Sequence, residues 1–459
     1  MSIKRYIILL AIALPLFAGV KNLTLNQAIQ ILKKDNLELK ISRFNEQMKA
    51  YEIKAVEGLN YGKLDLTVAG MRSNDAGNVF GFKLQSREAT FNDFGFNEFL
   101  AQMGGLPGNA PELLATQPTN LNYPDARNHF QTKISYMLPL YTGGKLTEYQ
   151  NITKSMHRMS QFDTKKLLNT KIYQTKKAFY DISLVENYIY NLSKITKNID
   201  RLEAIVRSME TEGYAQDIDL LEVQAHRAEA QSMHNQAKLN KELAYQFLSF
   251  LLNKEVSTIK LVRDMAPMPP VNKRELEANN IDIQKALLGL EISKMAVEAQ
   301  EGNFRPEIGA FGEYGSADNV FMNDFFDKDS YTFGVQMKWN LFNGGVDEAN
   351  LEKAKVQRMM VRDQVQLAKK GIALQAKKLK TEVLSANADI RSYKKQLKFA
   401  RKVYENYSAR YKEGIVSISD VLIQQSKELE VLLKLLTAKN KRNTKVFELD
   451  SILNRGGKV

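Results

Sequence analysis

The sequence predicts a mainly α-helical, internally duplicated chain that carries four amphipathic, membrane-crossing β-strands. Three observations support this. Short signatures of the first half recur in the second at a constant offset. Two segments alternate apolar and polar residues for eleven or twelve positions. Each is followed by a very long stretch without proline, Lys145 to Glu212 and Val346 to Glu413.

The duplication sets the frame. Leu140-Tyr141-Thr142-Gly143-Gly144 returns as Leu341-Phe342-Asn343-Gly344-Gly345, 201 residues later. Glu212-Gly213 with Asp219-Leu220-Leu221 returns as Glu413-Gly414 with Asp420-Val421-Leu422 at the same 201 offset. Upstream, Asn36-Leu37-Glu38-Leu39 matches Asn280-Ile281-Asp282-Ile283 at an offset of 244. The first copy therefore holds 43 extra residues between Leu64 and Ile134. One structural unit is used twice, and one of its loops is enlarged.

Residues 1–20 read as a secretory signal: Lys4 and Arg5, an apolar run from Tyr6 to Leu14, then Pro15 and the small pair Ala18-Gly19. The run is too short to cross a bilayer as a helix, so cleavage is expected. A first repeat follows over 21–252, opening with the capping-box pattern Thr24-Leu25-Asn26-Gln27 and a helix to about Glu57. Its counterpart helix covers roughly Arg274 to Glu301.

The strands come next. From Tyr331 to Phe342 the odd positions are Tyr331, Phe333, Val335, Met337, Trp339 and Leu341, against Thr332, Gly334, Gln336, Lys338 and Asn340. The first copy sets Phe130, Ile134, Tyr136, Leu138 and Leu140 against Gln131, Lys133 and Ser135. Period two puts one set on each face of a strand. An ordinary strand is about five or six residues long, whereas roughly nine to eleven tilted residues cross a bilayer with the apolar row toward lipid. Tyr141, Trp339 and Phe342 fall where an interfacial aromatic girdle belongs. Partner strands are expected near Lys63 to Gly70 and Glu307 to Tyr314, with a long outer loop over 71–129 rich in Gly, Asn and Phe.

Gly143-Gly144 and Gly344-Gly345 mark strand-to-helix turns. The helices that follow, 145–212 and its copy, would each reach roughly 100 Å at about 1.5 Å per residue. Apolar stripes such as Ile390, Tyr393, Leu397, Ala400, Tyr404, Tyr407 and Tyr411 zip them to neighbours. Gly213 and Gly414 end them, and Asp219 and Asp420 near the start of the returning helices suit an N-terminus. The returning helix of the first copy covers 217–252. A connector over 253–274 with Pro267, Pro269 and Pro270 leads to the second repeat, 275–453, and a tail, 454–459. Four strands cannot close a barrel, and an open edge in lipid leaves backbone groups unpaired. Two copies would supply eight strands and three would supply twelve.

Composition excludes other classes. The chain has no cysteine, so it holds no disulfide, thiol catalyst or thiolate metal site. Its net charge of +13 is spread along helical faces, which reads as solvated surface and not as a nucleic-acid site. His226 and His234 lie eight apart on one helix, too far to pair as metal ligands, and Thr142-Gly143-Gly144-Lys145 lacks the pattern of a phosphate loop. No enzyme activity, metal or cofactor is expected. The rival is a periplasmic coiled-coil adaptor without a barrel, and the row from Tyr331 to Phe342 argues against it.

The duplicated order of strand, long helix, glycine turn and Asp-Val-Leu helix resembles the TolC-like outer-membrane factor family. The opening Leu23-Thr24-Leu25-Asn26-Gln27-Ala28, with Asn36 beyond it, is similar to that family's first helix. The resemblance implies a homotrimer whose twelve strands form one barrel in the outer membrane of a Gram-negative bacterium, above a hollow periplasmic cylinder of helices. It implies the exit duct of a tripartite efflux pump or type I secretion system, working passively. Its partners would be outer-membrane lipid, a periplasmic adaptor (membrane fusion protein) meeting the hairpin tips at Gly213 and Gly414, and an inner-membrane transporter of RND, ABC or MFS type. Carried over by position, Asp420 matches an acidic ring at the periplasmic entrance, and Ile423 stands where a second ring belongs. Tyr411 matches a tethering tyrosine with Asp219 as its partner, and Val416 replaces a tethering arginine. Read from their own sequence positions, Asp219 and Asp420 are also simple helix caps.

Overall fold

A computed structural model describes residues 19–104 and 113–454. The expected export signal, except its last two residues, and all but the first residue of the expected tail lie outside the described residues. The elements are α1 Leu25–Asp35, α2 Leu37–Gly58, β1 Lys63–Ser73, α3 Ala76–Gln85, α4 Phe96–Met103 and β2 Arg127–Thr142. Then come α5 Lys145–Thr211, α6 Asp217–Leu252, α7 Lys273–Asn279, α8 Ile281–Glu301, β3 Glu307–Asp318, β4 Asp329–Lys338, α9 Val346–Lys412 and α10 Ile418–Ile452. They divide into two compact units. One is helical and draws on the described residues of 19–47, 158–290 and 361–454; the other surrounds the sheet and draws on those of 48–104, 113–157 and 291–360.

In the sheet unit, β1-β2-β3-β4 form one antiparallel meander of 11, 16, 12 and 10 residues. Among the described residues nothing pairs with the outer edge of β1 or of β4. The fourth strand was expected to run to Phe342; it stops at Lys338, whose partner is Glu307. The next residue back on β3 is Pro306, which has no N–H to give a ladder. β2 also departs from strict alternation, with a bulge between Pro139 and Tyr141 that leaves Leu140 unpaired. The loop joining β1 and β2 spans 53 residues (74–126) against 10 (319–328) between β3 and β4, which accounts for the 43-residue excess.

In the helical unit, Thr24 and Gln27 form the expected reciprocal cap of α1. The single helix expected from there to about Glu57 is instead broken at Asn36, which is extended at ψ 126°. Its side-chain oxygen accepts from the N–H of Leu39 at 2.9 Å while its amide donates to the carbonyl of Leu251 at 2.8 Å. Asn280 breaks the matching helix in the same way, accepting from Ile283 at 3.0 Å and donating to the carbonyl of Ile452 at 2.9 Å. Each asparagine thus caps the start of one helix and the last turn of another, whose carbonyls lack intrahelical partners.

Among the described residues four apolar clusters hold this unit, two of them large. Leu23, Ile29, Leu32 and Leu39 pack with Phe179, Ile182, Leu248 and Leu252, and isolated parallel bridges (Val20 with Val256, Leu23 with Ile259) fasten the connector there. The second core joins the apolar stripes of α5 (Ile199, Leu202, Val206) and α9 (Ile390, Leu397, Tyr404, Tyr411) to Val223, Val421 and Leu422 of the returning helices. Burial of such stripes, more than helix propensity, stabilises helices of this length.

Candidate functional site

Residues paired across antiparallel strands point to the same side of a sheet. Through the pairs Leu66–Ile134, Ile134–Tyr314 and Tyr314–Tyr331, one apolar face runs across all four strands. Leu64 and Val68 extend it on β1, and Phe333, Val335 and Met337 on β4. Most of this face is open in the single chain, and Phe333 is 78% exposed. The opposite face is polar: Lys133 pairs with Glu313 at 3.0 Å and Lys63 with Asp65 at 2.9 Å. A continuous apolar face opposite a charged one, on strands of 10 to 16 residues, fits a wall between lipid and water. Among the described residues no helix is long and apolar enough to cross a membrane.

The aromatic residues expected at the girdle lie at one end of this wall. The bulge brings Tyr141 opposite Ile308, on the apolar face. Trp339 lies beyond β4 and donates its indole N–H to the carbonyl of Phe304 at 3.1 Å, and Phe342 is 84% exposed. Beside them Gly143, Gly144, Gly344 and Gly345 all have positive φ, from +67° to +88°. At Gly143 a side chain is also barred by space, since a Cβ would lie 2.4 Å from the carbonyl oxygen of Gly302.

The two hairpin tips lie in the helical unit. α5 ends in Gly213 at φ +80° and α9 in Gly414 at φ +71°, the left-handed conformation that stops a helix. Asp219 accepts from the N–H of Gln216 at 2.9 Å. Asp420 accepts from the N–H of Ser417 at 3.2 Å and from its hydroxyl at 2.7 Å. Both carboxylates are thus helix caps in this structure. The tether expected between Tyr411 and Asp219 is not formed: the buried Tyr411 hydroxyl has no hydrogen-bond partner, because Asp219 is turned to its own helix start. Burial, then the nearby Asp219 charge, pushes the Tyr411 phenol above its usual range. Val416 packs at the edge of the apolar core, and Ile423 is half exposed.

Contacts between the hairpins come from residues the sequence reading passed over. Ser419 donates its hydroxyl to Glu222 at 2.7 Å, and Arg401 reaches Asn191 at 3.3 Å while bonding Glu428 at 3.0 Å. A lone Ser–Glu pair 197 residues apart leaves no pattern in a sequence.

Comparison with known proteins relates this arrangement to outer-membrane efflux channels. The model of the outer membrane efflux protein family matches residues 273–455. The solvent efflux pump outer membrane protein SrpC of Pseudomonas putida is 26% identical over 264 residues. The chain spans about half the length of that relative, 53%. The crystal structure of CusC superposes with a TM-score of 0.75 at 15% identity, covering 94% of this chain and 91% of that one. The open-state outer membrane channel MtrE of Neisseria gonorrhoeae gives 0.73 at 14% identity, covering 94% and 88%. The second repeat is thus similar to the outer membrane efflux protein family. The described chain has the fold of those channels. The family match lies in the second repeat; the same order of elements in the first repeat extends the fold over the described chain.

Proposed function

We propose that this chain is one subunit of an outer-membrane exit duct through which a tripartite export system passively discharges small molecules or proteins. Three copies would close a twelve-stranded barrel. The observation that carries this reading is the four-stranded sheet with two unpaired edges and one exposed apolar face. In hydrocarbon each unpaired backbone group costs several kcal/mol, so such a sheet must close with further copies of itself. Similarity to a solvent efflux pump component favours the efflux arm over type I secretion. In this reading the tips at Gly213 and Gly414 meet a periplasmic adaptor, which links the duct to an inner-membrane transporter of RND, ABC or MFS type. Asp219, Asp420 and Tyr411 lie at the entrance, where capping holds the tips in shape.

Single-particle imaging of the protein extracted from membranes in detergent tests the proposal. The expected particle is a threefold hollow cylinder with a rod about 100 Å long. A monomeric thin rod that needs no detergent would remove the barrel and leave a periplasmic adaptor.

A further inference from the structure

The loops 74–126 and 319–328 lie at the same end of the sheet, opposite the strand-to-helix turns, yet they fold onto different faces. In the short loop, Phe321 packs edge-on against Phe130 and Phe325 against Tyr314, at 6.0 and 6.1 Å between ring centres. Phe130 and Tyr314 belong to the apolar face. The long loop goes to the polar face. Phe82 of α3 stacks on His129 with ring centres 4.1 Å apart and planes within 5°, and His129 is 1% exposed. His129 alternates with Gln131 and Lys133 on the charged side of β2. Val79 of the same helix and Ala317 of the polar face are likewise buried.

Ionic contacts fasten this loop to both hairpins. Glu88 bridges Arg127 of β2 and Lys328 of the short loop, and Lys328 also meets Asp318 at 2.8 Å. Ser86 accepts from Arg127 at 2.9 Å, and Arg87 donates to the carbonyl of Asp327 at 3.1 Å. On α3 sits a second layer, begun by the edge-on pair Phe80–Phe94 at 5.4 Å. This layer leaves Phe91, Phe96, Leu100 and Met103 exposed in the single chain, Phe91 by 80%.

We propose that residues 76–103 are an inward-folded plug, three copies of which meet through Phe91, Phe96, Leu100 and Met103 and close the outer mouth of the pore. This rests on the duct reading, in which the polar face lines the lumen. An eight-stranded barrel is about filled by its own side chains, whereas sixteen to eighteen strands leave an open channel. Twelve strands lie between, and a helix about 10 Å across on each third of the wall takes up the clearance that remains. The occupant of each exposed apolar layer is therefore its own counterpart in the neighbouring copies.

The absence of cysteine makes a direct test available. Ser135→Cys places one thiol on the polar face of β2, deeper than His129 and opposite Glu313. Intact cells are treated with a polyethylene-glycol maleimide too large for general porins. The proposal expects no labelling of Ser135→Cys in the otherwise native chain. It expects full labelling when residues 76–122 are replaced by a short Gly-Ser turn, and partial labelling when Glu88→Gln weakens the clamp. Phe326→Cys, on the exposed short loop, should label in every background and so reports surface display. Equal labelling of Ser135→Cys with and without the loop overturns the plug, as does its absence in both. Imaging the same purified variants separates this from the duct reading: failure to form threefold particles with the native loop counts against the duct, while threefold particles with an unguarded Ser135→Cys count against the plug alone.

Discussion

At the scale of single residues, the two asparagines at matching positions of the repeats do the same work in unequal surroundings. The Asn36 amide ends on the carbonyl of Leu251, which is 1% exposed, whereas Ile452, the partner of Asn280, is half-buried. Losing an N-terminal cap costs about 1 kcal/mol, and stranding a buried polar group costs about 1–3 kcal/mol. Asn36→Ala is therefore expected to destabilise the helical unit by about 2–3 kcal/mol and Asn280→Ala by about 1 kcal/mol. Thermal unfolding of the purified protein, followed by circular dichroism, measures both; equal losses would mean that the buried carbonyl does not matter. The match of Asn36 to Asn280 is plain in the sequence, but the break it makes is not. A mid-helix asparagine is tolerated, and what fixes its conformation is a carbonyl 215 residues away.

At the scale of elements, the long helices were readable because both the apolar stripe and the lack of proline are local properties. α5 and α9 are each 67 residues long and end one residue short of the expected boundary. Their packing has a consequence at high pH. Tyr404 of α9 is buried beside Glu428, and burial, then that negative charge, pushes its phenol up to about 12. Below pH about 10 the phenol is neutral in both folded and unfolded chains and its contribution is complete. Between about 10 and about 12 the unfolded chain gives up this proton first, so stability falls as pH rises. A Tyr404→Phe variant should lose less stability over that window than the native chain, by about 2 kcal/mol. Unfolding temperatures measured from neutral pH to that limit provide the check, and parallel curves for the two proteins would discount Tyr404. Tyr180 and Tyr188 are raised by burial as well, so a residual slope is expected in the variant.

For the whole molecule, the exposed apolar face and the free strand edges matter more than any single contact. Phe333→Lys puts a charge on the lipid side at mid-strand, where the cost is about 2–4 kcal/mol. Gln336→Lys puts the same charge on the polar side of the same strand. Only the first should reduce the yield of assembled protein in outer-membrane fractions, read as the oligomer band on unheated gels. Comparable oligomer from both variants would contradict the assignment of faces. The end of that strand was not legible beforehand. Alternation continues through Trp339 and Leu341, but pairing stops where Pro306 leaves its partner strand without a donor.

The sequence by itself determined the duplication, the two faces of the sheet, the extent of the long helices and the residues that cap and turn them. These follow from periodicity, and from glycine, proline and capping chemistry acting over a few neighbouring positions. Only the tertiary structure decided that Asn36 and Asn280 break their helices, that Ser419 and not Tyr411 bonds across the hairpins, and that the enlarged loop turns to the polar face. Each depends on which distant group satisfies a buried polar atom or covers an apolar one. His129 finds Phe82, and Glu88 finds Lys328, through folding of the chain and not through spacing along it.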